Sequence, residues 1–201
     1  VWHEEPHLDP EEFDLGFYSY GLRVYGNLPL IEPLESREVK KIRDFVIVLD
    51  TSESTAGELV KAFLQETFTL LKSQDSFFRK CRILVLQADN AIQDETWLTD
   101  LDALDRYTAN FTLHGGGGTD FRPAFARVEE LRESGVLRGL QGVLYFTDGK
   151  GIYPAHRPPF ETAFLFLENG TPPPEVPPWA MRLVLQPEEF EQHDHKAPPK
   201  G

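Results

Sequence analysis

From about residue 40 to 187 the chain alternates short, wholly apolar runs with longer amphipathic ones. "FVIVLD" (45–50), "CRILVLQAD" (81–89), "GVLYFTDG" (142–149), "TAFLFLE" (162–168) and "AMRLVLQ" (180–186) carry almost no polar alternation, the pattern of strands covered on both faces. "AIQDETWLT" (91–99) is more polar and reads as an edge strand, entered by a turn at Asp89-Asn90. Between these runs the period changes. Val60, Phe63, Leu64 and Leu71 recur at helical spacing after possible caps at Ser54 or Thr55, and Phe125, Val128 and Leu131 do so again within 124–135. "DLDALDRYTANF" (100–111) predicts a short helix. Strands alternating with helices specify an α/β fold, Rossmann-like, with a mostly parallel central sheet, one antiparallel edge strand and helices on both faces.

Upstream, Asp9, Pro10, Glu11 and Glu12 form a helix-start signal, and Phe13, Phe17, Tyr20 and Val24 fall on one face before Gly26. Residues 1–37 are therefore read as a helix over about 10–25 plus a proline-punctuated connector, packed on a main domain at 38–187. Residues 188–201 read as a polar tail, expected to fray.

A chain of 201 residues with 40% hydrophobic and 26% charged residues has room for one domain with a real core. Its formal charge of −13 argues against nucleic acid, because little basic surface is present to displace counterions from phosphates; it is compatible with a cation or a basic partner face. No run approaches the ~20 apolar residues of a membrane span, and no signal-peptide pattern is visible. Cys81 is the only cysteine, which forbids an internal disulfide and suits a reducing cytoplasm, the expected location. The start at Val1 rather than Met is that expected of a piece of a longer protein.

Three polar clusters are placed for the carboxyl edge of the predicted sheet, where α/β folds bind ligands. Asp50, Ser52 and Ser54 follow the first strand, Thr119 follows four glycines (115–118), and Asp148 ends "GVLYF". All five side chains offer oxygen, the donor that hard divalent ions such as Mg²⁺ require. Alternate residues of an extended turn point the same way, and the glycines let the backbone bring Thr119 in. The oxygens read as a metal site.

"DTSES", "GGGGTD" and "FTDG" resemble the metal-ion-dependent adhesion site (MIDAS) of von Willebrand factor A (VWA) domains, in the family's order and on its elements, over about residues 40–187. The resemblance implies Mg²⁺, or Mn²⁺ in its place, with Ser52, Ser54 and Thr119 as hydroxyl ligands and Asp50 and Asp148 acting largely through bound water. It also implies an open position for a carboxylate from a partner protein. Asp120 is a candidate for a supporting role, and Glu53, where many relatives carry a small residue, crowds or charges the rim. The lead-in "YGLRVYGNLPLIEPLESREVKKIRDFVIVLDTS" resembles a bacterial VWA-like family whose longer members carry a metallopeptidase-like domain upstream and are associated with MoxR-type AAA+ ATPases. This implies an adaptor forming the C-terminal part of a longer protein, and since no nucleophile–base pair is apparent near the site, catalysis by this chain is not expected.

The plainer readings stand beside these. Asp50 and Asp148 could cap turns without an ion if a base such as Lys150 compensated them. "HEEPH" (3–7) matches the zinc-peptidase pattern, but Pro6 disfavours the helix that would hold His3 and His7 together, and no third ligand is evident. A hydrolase or peptidase using that motif, or the divalent site, is the rival function. His114 is read as a packing or hydrogen-bonding residue, and His193 and His195 as exposed. "GGGG" lacks the Lys-Ser/Thr of a phosphate-binding loop. Asp50 as a phosphatase nucleophile would want a second acid where Ser52 stands.

Overall fold

The structure is a computed structural model that describes residues 43–52, 57–72, 81–168 and 170–185. The predicted helix at 10–25, the "HEEPH" stretch, Glu53, Ser54 and the tail at 188–201 lie outside the described residues.

Among the described residues, six strands and three helices follow one another as β1 (Arg43–Asp50), α1 (Gly57–Lys72), β2 (Cys81–Ala88), β3 (Ile92–Leu98), α2 (Leu101–Ala109), α3 (Arg122–Glu133), β4 (Leu140–Phe146), β5 (Thr162–Leu167) and β6 (Met181–Leu185). They form one sheet in the order β3-β2-β1-β4-β5-β6. All neighbours are parallel except β2 and β3, so the polar run at 91–99 is the antiparallel edge that its composition predicts. β1 lies between β2 and β4, and the chain leaves it first towards one edge and later towards the other. The order therefore reverses at β1.

Side-chain alternation along the buried strands sends two sets of apolar groups to opposite faces. Ile47, Leu49, Leu144 and Phe146 meet Val60, Phe63 and Phe68 of α1 and Leu104 of α2, with the Phe63 and Phe146 rings stacked at 4.3 Å. Val46, Val48, Tyr145 and Phe164 meet Phe125, Val128 and Leu131 of α3 on the other face. Among the described residues, no helix is long and apolar enough to cross a membrane.

One detail differs from the sequence expectation and one adds to it. α3 begins at Arg122 with Pro123 in its first turn, two residues earlier than the apolar periodicity suggests, because proline's fixed φ suits a helix start. α2 is capped by Asp100, whose carboxylate accepts from the Ala103 N–H at 2.7 Å.

Candidate functional site

The carboxyl ends of β1, β2 and β4 lie side by side, since Asp50 pairs with Ala88 and Leu49 with Phe146. Asp50 is fully buried. Its Oδ1 accepts from the Ser52 N–H at 2.9 Å and its Oδ2 from the Thr147 hydroxyl at 2.5 Å. Among the described residues, no cationic side chain pairs with it. The Thr147 oxygen in turn accepts from the Gly149 N–H at 3.0 Å, so one hydroxyl ties the Asp50 turn to the loop that carries Asp148. Asp148 accepts the Lys150 backbone N–H at 3.0 Å. The Lys150 ammonium forms no ion pair with either acid among the described residues, so the compensating base that an ion-free reading requires is not supplied from there.

The glycine loop is fastened from β1 and β2. Gly116 N–H donates to the Thr51 carbonyl at 2.9 Å, and Gly117 N–H donates to Asp89 Oδ2 at 3.0 Å. Gln87, buried at the end of β2, accepts the His114 N–H at 2.7 Å and donates to the Thr112 carbonyl at 3.0 Å. His114 thus bonds through its backbone, while its ring is exposed. Gly115 has to be glycine: its φ is +142°, and a Cβ there would stand 2.8 Å from the Thr51 carbonyl oxygen and 2.3 Å from Thr51 Oγ1. Beyond the loop, the Asp120 N–H bonds the Asp89 carbonyl and the Phe121 N–H bonds the Ile152 carbonyl. Thr119 therefore sits between the β2 end and the loop after β4, with its Cγ2 2.7 Å from where a Cβ on Gly151 would be.

Asp120 is committed to Arg122, which approaches its carboxylate to 2.8 Å and, through that hydrogen bond first, lowers its pKa. The Tyr145 phenol is driven well above its ordinary 10.0, by burial first and then by the charges of Asp50, Asp120 and Asp89. Tyr153 is pushed up to about 12 by burial and then by Asp148. Negative potential is thus concentrated at this end of the sheet. Two buried hydroxyls there, Thr51 Oγ1 and Tyr145 Oη, have no hydrogen-bond partner among the described residues. An unpaired buried carboxylate, hydroxyl oxygens and a negative field suit a hard cation carrying its own water. No cluster of three or more His, Cys, Asp or Glu side chains is poised for a metal among the described residues, so any ion held here would need hydroxyls or water beside the carboxylates. Asp50, Ser52, Thr119 and Asp148 are the described residues that could hold it.

Gln87, Asp89 and Thr147 are parts of this edge that sequence reasoning did not assign. Gln87 and Thr147 were visible only as polar residues at the ends of apolar runs. Burial raises the Asp89 pKa, but hydrogen bonds from Gln93, Gly117, Ala91 and Asn90 together outweigh it and hold the group below 3.8. The ionised form therefore contributes its full stabilisation above pH 3.8, and this is lost as the pH falls through the lower folded value. An Asp89→Asn protein is expected to be less stable than the native one near neutral pH, by about 1–2 kcal/mol. The gap should close in acid, as read by thermal melts across pH. A gap that did not change would show that the charge is not what fastens Gly117.

A family model described as "VWA-like domain (DUF2201)" matches residues 45–186, most of the chain. The chain belongs to this VWA-like family. Proximal thread matrix protein 1 from the mussel byssus shares the fold at 16% identity and a TM-score of 0.55, over 77% of this chain and 46% of that one. The VWA domain of SpRpn10 matches at 12% identity and a TM-score of 0.47, over 78% and 96%. The vWF domain of the pilus tip protein Mfa5 from Porphyromonas gingivalis matches at 16% identity and a TM-score of 0.42, over 56% and 39%. This VWA-like domain thus spans under half the length of the mussel and pilus chains. No curated protein matches it.

Proposed function

We propose that this VWA-like domain binds Mg²⁺, or Mn²⁺ in its place, at the carboxyl edge of β1 and β4, and there captures an acidic side chain of a partner protein. The observation that carries the reading is Asp50, a fully buried carboxylate at the point where strand order reverses, with no cationic partner among the described residues. A buried charge left unpaired is costly, and a bound cation removes that cost. Asp50 and Asp148 would orient the ion's water, and the hydroxyls of Ser52, Ser54 and Thr119 would complete an all-oxygen set. When bound, the ion supplies an acceptor position for a carboxylate oxygen. Thr147 holds the Asp50 carboxylate, while Gln87, Asp89 and the Thr51 carbonyl hold the loop leading to Thr119.

VWA-type domains generally serve in protein binding, which supports a partner over a substrate. The lead-in at residues 20–52 supports a cytoplasmic adaptor role beside a MoxR-type AAA+ ATPase, within a longer protein. The test is calorimetric titration of Mg²⁺, Mn²⁺ and Zn²⁺ into metal-free protein. Saturable binding of Mg²⁺ or Mn²⁺ at one equivalent is the expected result. Stoichiometric zinc lost on changing His3 or His7 would overturn it in favour of a peptidase.

A further inference from the structure

Among the described residues only two large hydrophobic side chains are well exposed, Val136 and Ile152. Val136 lies in the turn before β4, at the far end of the sheet. Ile152 lies on the loop after Asp148, one residue beyond the Gly151 that abuts Thr119.

Its exposure does not come from a loose loop. The Ile152 carbonyl accepts the Phe121 N–H at 3.1 Å, and the residue bridges Asp120 in parallel register. The next side chain, Tyr153, packs edge-on against Phe121 and Phe164 at 4.8 and 5.0 Å. Between Asp148 and Ile152, Gly149 lies so close to Pro174 that a Cβ would stand 2.6 Å from it, which braces the loop with a stiff proline-rich segment. An isoleucine 52% exposed on so fixed a backbone is preorganised for contact, because little ordering entropy remains to be lost on binding. Lys150, two residues away, is exposed, and no ion pair to its ammonium occurs among the described residues. An acidic group arriving at the ion would also meet this cation.

We infer that Ile152 is a specificity-determining contact of the partner site, selecting segments in which the acidic residue offered to the ion has an aliphatic neighbour. This rests on the ion-dependent reading given above. The occupant is a protein segment carrying Asp or Glu beside Leu, Ile or Val: the carboxylate complements the ion and Lys150, and the aliphatic group covers Ile152. Covering the remaining half of this side chain strengthens binding about fivefold.

The test is an array of synthetic peptides, each with one central Glu whose neighbours are varied among Leu, Ile, Ser and Lys, probed with the full chain with and without Mg²⁺. Native protein is expected to bind in a Mg²⁺-dependent manner and to favour Leu or Ile neighbours about fivefold over Ser. Ile152→Ser should lose that preference and Ile152→Leu should keep it, with unchanged thermal melts and Mg²⁺ titrations in both. Mg²⁺-dependent binding of Glu peptides that ignores their neighbours, or a preference surviving in Ile152→Ser, overturns the role of Ile152 and leaves the ion-dependent reading standing. Absence of any Mg²⁺-dependent peptide binding overturns both.

Discussion

An Asp50→Asn protein is expected to bind Mg²⁺ or Mn²⁺ about ten- to a hundredfold more weakly than the native chain while keeping its fold. The amide preserves the shape of the side chain and an oxygen to accept the Ser52 N–H. On the other side, the Thr147 hydroxyl can turn to accept from the new NH₂ instead of donating. The charge is removed, and with it the acceptor of the Thr147 O–H. If Asp50 were a structural acid satisfied by its two hydrogen bonds, the variant would melt near the native temperature and titrate with Mg²⁺ unchanged. That outcome would sink the metal reading of this residue. Calorimetric titration beside a thermal melt separates the two.

Asp44→Ala, six residues earlier on the same strand, is expected to behave in the opposite way. It should destabilise the protein by about 3 kcal/mol and leave the ion affinity of the folded fraction untouched. Asp44 is buried and meets Arg82 at 2.8 Å, and its second oxygen accepts the Gly139 N–H at 3.1 Å. Arg82 also donates to the Val136 carbonyl and lies 4.7 Å above the Trp97 ring, so one carboxylate ties together β1, β2, β3 and the turn before β4. Truncation leaves the Gly139 amide and a half-buried guanidinium unmatched. The loss stays at the low end for a broken buried pair because water still reaches Arg82, whose side chain is 33% exposed. A loss under about 1 kcal/mol in urea unfolding would mean that solvent replaces the carboxylate without cost.

The contrast between these two aspartates shows what the sequence could and could not reveal. The sheet was legible because its strands are apolar without alternation, a pattern that only two-sided burial explains, and because β3 breaks that pattern where it forms an edge. The candidate site was legible only as oxygen donors placed directly after strands. Pairing was not legible. Nothing in "RDFVIVLD" distinguishes the acid at its start, which answers to Arg82 some forty residues on, from the acid at its end, for which the described residues supply no cation. Gln87, Asp89 and Thr147 were obscure for the same reason, since each acts on a segment distant in the chain and acquires its role only through the fold. The start of α3 was displaced because apolar spacing reports the buried face of a helix and not its first turn.

The hydrogen bond from Thr147 to Asp50 joins residues 97 positions apart. That separation ties the site to the kinetics of folding. β1 can pair locally with β2 early, but its other edge waits for β4, and the closure of so long an intervening chain is the slow kind of event in parallel sheets. The Asp50 carboxylate acquires its buried setting only when that pairing is complete. An ion bound there would consequently recognise the finished sheet and no earlier species, stabilising the native state by mass action and slowing global unfolding without accelerating collapse.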